Sequence, residues 1–140
     1  NVTYEAVLEN LNVLDYDYYF KIIEAAKAGN IAENLLIYND VLAKGFDGSQ
    51  FILGLSEHLR NLLVCKDPAT VSLIEVPSEI KEKYLEQSAS TSQSFILLAL
   101  DLLRDTDLHF KASKNKRLSV EISLMKLSSI EATLKSTQAS

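Results

Sequence analysis

Residues 45–65 of the chain read GFDGSQFILGLSEHLRNLLVC, and this stretch decides the fold class. Asp47 is a residue type that caps helix N-termini, and Gly45 lies where a preceding helix should end, because Gly adopts the left-handed conformation at little cost. The residues that follow carry an apolar stripe with the spacing of one helix face: Phe51, Ile52, Leu55, Leu59, Leu62 and Leu63. The stretch therefore predicts a long amphipathic helix with one broad buried face.

The segments on either side of this helix complete a helical chain. Upstream, one helix should follow a cap at Asp15 and end at Gly29, and a second should end at Gly45. Downstream, Pro68 and Pro77 break the chain. The residues after them predict three more segments: a polar one over 78–87, a long helix from Ser92 toward Phe110, and a last helix over 116–130. The sequence thus predicts an all-α fold, a compact bundle of five or six helices.

The last predicted helix is apolar on two of its sides. One face carries Leu118, Ile122 and Met125, and the other carries Val120, Leu124 and Leu127. A helix with a single apolar stripe packs against one core, whereas two stripes predict burial on two sides. The second side is therefore expected to meet another part of the core or a neighbouring subunit.

Length and composition exclude several classes of protein. The chain has 140 residues, enough for one domain with its own core, and 14 Lys and Arg against 19 Asp and Glu, for a net charge of −5. This acidic balance argues against a dedicated nucleic-acid binder. A single Cys rules out an internal disulfide or a multi-Cys zinc site. The chain has no apolar run that could span a bilayer, no initial Met and no signal sequence, so we expect a cytoplasmic domain cut from a longer protein.

No catalytic constellation stands out in the sequence. A Gly-x-x-x-x-Gly-Lys phosphate loop is missing. Asp105, Asp107 and His109 are close in sequence, but a solvated helix end is favoured over a metal site, because alternate residues of a helix point in different directions. For His58 we favour a structural or interface role, and for Cys65 a buried, inert thiol. Tyrosines 16, 18 and 19 are interpreted as core and interface aromatics, because acidic residues between them would repel phosphates.

Charge is distributed unevenly along the chain. Residues 1–70 contain five Lys and Arg against ten Asp and Glu, whereas residues 71–140 contain nine of each. A local basic cluster precedes and begins the last predicted helix: Lys111, Lys114, Lys116 and Arg117. It is interpreted as a solvated helix start, with a surface that faces a partner as the alternative.

Four stretches together resemble one protein family. Residues 11–20 (LNVLDYDYYF), 44–55 (KGFDGSQFILGL), 58–68 (HLRNLLVCKDP) and 112–121 (ASKNKRLSVE) occur in the order and spacing of domain III of the bacterial DNA polymerase III gamma/tau subunit. The similarity extends over roughly residues 3–130 and is greatest to the forms of the Bacteroidetes group. It implies an α-helical oligomerisation domain, the C-terminal collar domain of a clamp-loader subunit.

The resemblance also implies partners and a division of labour. The collar holds gamma/tau copies together with delta and delta-prime subunits in a pentameric ring that loads the sliding clamp. In this family, ATP and zinc are bound by upstream modules of the parent subunit. No cofactor and no enzymatic activity are therefore expected in this domain. The parent subunit belongs to the DNA polymerase III holoenzyme, a DNA-directed DNA polymerase and thus a transferase. Residues 1–14 would be a linker or short helix from the ATPase module, 15–132 the collar domain, and 133–140 a disordered tail.

The subunit interface is expected around the basic start of the last helix and along that helix. Basic residues there would pair with acidic residues of an adjacent subunit and set register, while apolar anchors would supply affinity. The expected interface residues are Phe110, Lys116, Arg117, Leu118, Glu121 and Met125. Two alternatives remain open: a small helical enzyme or metal carrier that uses Asp105, Asp107 and His109, and a stand-alone protein-interaction or weakly basic DNA-binding domain that uses residues 111–117.

Overall fold

The computed structural model describes residues 16–139, with side chains to residue 136. Over this range the chain is helical and contains no strand. Seven α-helices are present: α1 (Tyr16–Lys27), α2 (Ile31–Ala43), α3 (Gly48–Val64), α4 (Ser78–Ala89), α5 (Gln93–Phe110), α6 (Lys116–Leu127) and α7 (Ile130–Ala139). A 3₁₀ turn at Val71–Leu73 lies between α3 and α4. The predicted all-α fold is confirmed; the predicted segment 1–14 and the cap at Asp15 lie outside the described residues.

Local signals end and begin the helices where the sequence predicts. Gly29 and Gly45 have φ angles of 73° and 95°, the left-handed conformation expected after a helix. The Asn30 side chain accepts a hydrogen bond from the backbone N–H of Glu33 at 3.1 Å. At the start of α3 the Asp47 carboxylate accepts from the backbone N–H of Gln50, whose side chain accepts from the backbone N–H of Asp47. This reciprocal pair satisfies two backbone donors that would otherwise lack partners.

Helix α3 lies at the centre of the bundle. It packs against α5 most extensively and also contacts α1, α4 and α6. Five of its six predicted stripe residues are almost completely buried: Phe51, Ile52, Leu55, Leu59 and Leu62. The sixth, Leu63, is half-buried against the same core. None of the helices over residues 16–139 combines the length and apolar character that a membrane crossing needs.

The end of the chain is divided more finely than the sequence suggests. The predicted helix over 116–130 ends at Leu127, and a new helix begins at Ile130. The hydroxyls of Ser128 and Ser129 donate to backbone carbonyl groups four residues earlier, which competes with the regular helix ladder. Where a disordered tail over 133–140 is expected from the sequence, the structure has α7 to Ala139. Ile130 and Leu134 of this helix pack against the core, which gives it a place in the bundle.

Candidate subunit interface

Helix α6 separates its two apolar stripes between the core and the surface. Val120, Leu124 and Leu127 are completely buried. The other stripe is open: Leu118, Ile122 and Met125 expose 45%, 41% and 36% of their surface. Positions i, i+4 and i+7 share one helix face, so these three side chains form a continuous apolar strip. We call it the outer stripe.

A shallow groove of about 530 Å³ continues the outer stripe at its C-terminal end. Met125 lies in its wall together with Leu98 and Leu102 of α5, Ile31 of α2 and Ile130 of α7. Leu98 exposes 47% of its surface. Four helices therefore contribute to one open apolar surface, which is larger than the outer stripe alone and typical of a contact site.

The charged residues at the start of α6 bond within their own chain. Arg117 donates from Nη2 to the Asn39 side-chain oxygen at 2.9 Å and from Nε to a Glu121 carboxylate oxygen at 3.3 Å. The Asn39 bond joins α6 to α2. Both contacts are exposed, so each contributes little to stability. Arg117 thus links the start of α6 to α2, and its contact with Glu121 stays within α6.

Phe110 and Lys116 close the loop that precedes α6. The Lys116 ammonium lies 5.6 Å from the centroid of the Phe110 ring, and its Nζ donates to the backbone carbonyl of Ser113 at 3.3 Å. The Phe110 ring packs against Gly48, where a Cβ would lie 3.0 Å from two ring carbons. Of the six predicted interface residues, Leu118 and Met125 lie on the open apolar surface, and the other four make contacts that shape the start of α6. Their role between subunits stays a prediction.

His58 and Gln87 form a buried polar link between α3 and α4. His58 Nε2 lies 2.7 Å from the Gln87 Oε1, and the Gln87 amide donates to the Phe20 carbonyl and to a Glu24 carboxylate oxygen. His58 is only 1% exposed, and burial lowers its pKa to about 4. The amide lowers the pKa of the Glu24 carboxyl, against the opposing effect of burial. The arrangement gives His58 the structural role predicted for it.

The other candidate residues do not assemble into a reactive site. His109 Nδ1 lies 3.5 Å from its neighbour Asp105 on the same exposed helix side, and among the residues with described positions no three His, Cys, Asp or Glu side chains are grouped to hold a metal ion. Cys65 is half-buried, and burial raises the pKa of its thiol, which disfavours the reactive thiolate. Tyr19 lies in the core, while Tyr16 and Tyr18 are half-buried.

The sequence analysis missed the parts of the groove that other helices contribute. Leu98 and Leu102 share the wide apolar face of α5 with Phe95, Ala99 and Leu103, and the structure completely buries the latter three. The excess width of the apolar face of α5 was the available signal. Ile31 and Ile130 have no such signal, because only the tertiary fold brings the starts of two helices to Met125.

The chain matches the model of one protein family. The family is described as DNA polymerase III subunits gamma and tau domain III, and the match covers residues 2–139. It confirms the resemblance that the four stretches suggested. Among curated proteins, none matches the chain.

Proposed function

The chain belongs to the family of domain III of DNA polymerase III gamma and tau subunits, and from this membership we propose that it is the collar domain of a clamp loader. In this role it holds subunits side by side in a pentameric ring that loads the sliding clamp during DNA replication in the cytoplasm. Its partners are other gamma/tau copies and the delta and delta-prime subunits. The domain itself performs no catalysis, and ATP hydrolysis belongs to upstream modules of the parent.

One observation supports the proposal above the others: the two-sided burial pattern of α6. Its inner stripe is completely buried, whereas the outer stripe leaves three large apolar side chains in contact with water. Removal of apolar surface from water contributes about 25 cal/mol per Å² before the costs of association are subtracted. The outer stripe and the groove are therefore the favoured source of affinity between subunits.

Charged residues at the start of α6 are a second observation that favours the outer-stripe side of α6 as the interface. Arg117 is exposed, Glu121 is half-buried, and both lie beside Leu118 on α6, so a neighbour seated on the outer stripe would reach them. Exposed charge pairs contribute only about 0–1 kcal/mol each. Such pairs would therefore determine how two subunits are aligned more than how tightly they bind. An apolar centre with a charged margin is the usual anatomy of a protein interface.

Sedimentation velocity of the chain over about a hundredfold range of concentration tests the proposal, since association follows mass action. We expect a concentration-dependent shift to a trimer or larger species. Ile122→Asp, in the middle of the outer stripe, should abolish the shift, because the contact would bury an unpaired carboxylate. The variant should keep the helical circular dichroism of the unaltered chain, since Ile122 is exposed.

Leu108→Asp is the matched control. Leu108 is 68% exposed on α5, and its position six residues after Leu102 places it on a different side of that helix from the groove. It should leave association unchanged. Equal loss of association in both variants would contradict the assignment to α6, and an unaltered chain that stays monomeric throughout would contradict the proposal that these residues carry the collar contacts.

A further inference from the structure

A second cavity lies away from α6, between α1, α3 and α4. It has a volume of about 300 Å³, and we call it the tyrosine pocket. Three tyrosines, two carboxylates and the buried histidine characterise its wall: Tyr16, Tyr19, Tyr84, Glu57, Glu75 and His58. No Lys or Arg lines it. The pocket thus combines aromatic rings with negative charge.

The hydrogen bonds of Gln87 fix the protonation pattern of His58. Gln87 donates both amide hydrogens, to the Phe20 carbonyl and to Glu24, so its Oε1 is the atom that faces His58. Nε2 of the neutral imidazole must then be the donor. Nδ1 is left as a bare acceptor, and it is buried without a hydrogen-bond partner in the described part of the chain. A buried acceptor of this kind is stabilised by a hydrogen-bond donor, and His58 is one of the residues that line the pocket.

The tyrosines and carboxylates of the pocket favour a positively charged group as the hydrogen-bond donor. Burial raises the pKa of the Tyr19 and Tyr84 hydroxyls, and the nearby charge of Glu57 acts in the same direction on both. Rings of this type attract a Lys or Arg head group over their faces, more strongly where water is excluded. An ammonium group in this cavity would lie among the tyrosine side chains and the carboxylates of Glu57 and Glu75.

The chain itself carries the complementary group at a different place. Lys111 and Lys114 are exposed in the loop between α5 and α6, and neither makes an ion pair within the described residues. Residues of this loop do not line the tyrosine pocket of their own chain. Contact between unlike surfaces of two copies joins them head to tail, an arrangement that generates a ring where the rotation closes.

We propose that the tyrosine pocket receives a lysine of the loop over residues 111–117 from a second copy of this chain. This inference deepens the proposed function and rests on it, because it names the surface that the α6 side of one copy meets on the next. Exposed apolar surface accompanies the pocket as well: Leu53 shares a face of α3 with Glu57, four residues on, and 61% of its surface is exposed.

Charge reversal on each side tests the inference. The pocket variant carries Glu57→Lys and Glu75→Lys, and the loop variant carries Lys111→Glu and Lys114→Glu. Association of each variant alone, measured by sedimentation velocity, should weaken about tenfold or more, because like charges then face each other. An equimolar mixture should recover association, since each loop then faces a pocket of opposite charge. The control Glu79→Lys with Glu82→Lys makes the same charge change on exposed α4 positions outside the pocket and should associate like the unaltered chain.

Each outcome decides between the two proposals. Association that persists in both variants overturns the pocket inference and leaves the collar function standing, and a bound water would then be the partner of Nδ1. Loss in both variants without recovery in the mixture also overturns the inference, because the two groups are then not partners. If the unaltered chain does not associate, the collar function fails as well. In NMR spectra, the His58 ring signals should shift with concentration in the unaltered chain and not in the loop variant.

Discussion

Acidification should destabilise this fold through His58. The folded chain buries the imidazole between the rings of Phe20 and Tyr84, and burial holds its pKa at about 4, below the ordinary value of 6.5. Between these two values the unfolded chain binds a proton that the folded chain rejects. Stability therefore rises with pH across this window and is lost as the pH falls through it.

The magnitude follows from the two pKa values. The full difference corresponds to about 3 kcal/mol, and between about pH 7 and pH 5 the expected loss is about 2 kcal/mol. A domain of this kind has a total stability of about 5–15 kcal/mol, so the loss is easily measured. The hydrogen bond from Nε2 to Gln87 persists in either protonation state and opposes only part of the effect of burial.

Urea unfolding followed by circular dichroism at a series of pH values measures this slope. His58→Phe removes the titrating group and leaves the Gln87 oxygen without its donor, so the variant should be less stable at neutral pH yet lose less stability on acidification. His109→Gln is the control, because it removes the other histidine from an exposed position and should keep the slope. A His58 ring that titrates near 6.5 by NMR, or an unchanged slope in His58→Phe, would refute the reasoning.

Three further predictions concern packing, capping and charge. Gly54→Ala should lower the free energy of unfolding in urea by about 1–3 kcal/mol, because the added Cβ would collide with the Tyr19 hydroxyl. Tyr19→Phe in the same chain should recover part of this loss. An unchanged unfolding midpoint in Gly54→Ala would contradict this packing. Asn30→Ala should cost about 1 kcal/mol in the same assay, since it removes the cap on the Glu33 N–H, whereas Asn30→Asp should be tolerated. Titration with duplex DNA at low salt should show no salt-sensitive binding by residues 111–117, because the chain is acidic overall and Arg117 is hydrogen-bonded to Asn39 and Glu121. A DNA affinity that falls steeply with added salt would contradict this prediction.

The fold was predictable where its signals are local. A cap such as Asn30 and a helix end such as Gly29 act within a few residues of themselves, so their meaning survives without the tertiary structure. Helix α4 shows the opposite case. Its sequence is polar, and the sequence gives no reason to bury Gln87 at 6% exposure. The reason lies in Phe20, Glu24 and His58, which belong to two other helices and supply its hydrogen bonds.

The same distinction applies to the candidate interface: features set by local residue spacing could be predicted, and features set by the tertiary fold could not. The two stripes of α6 could be predicted from residue spacing, and the structure buries one and exposes the other. The expected interface residues Leu118 and Met125 belong to the stripe that the structure exposes, although spacing alone does not distinguish two stripes that are both apolar and of similar size. The groove beside Met125 and the tyrosine pocket depend on helices that are distant in sequence. Apart from the wide apolar face of α5, no local sequence feature marks their residues as parts of a surface site.

The arrangement of α6 separates folding from assembly within twelve residues. Substitutions that shorten Val120, Leu124 or Leu127 open a cavity in the core and should destabilise the domain, by about 2–5 kcal/mol for a Leu to Ala change. The outer-stripe residues lie outside the core cluster and are partly exposed, so substitutions there should destabilise the monomer less. The same helix that completes the core thus offers a second apolar side to a neighbour, and this side is held rigidly because the inner one is packed. A contact built on a rigid, packed element loses less conformational entropy on association than one built on a loop, which is consistent with the proposed collar function.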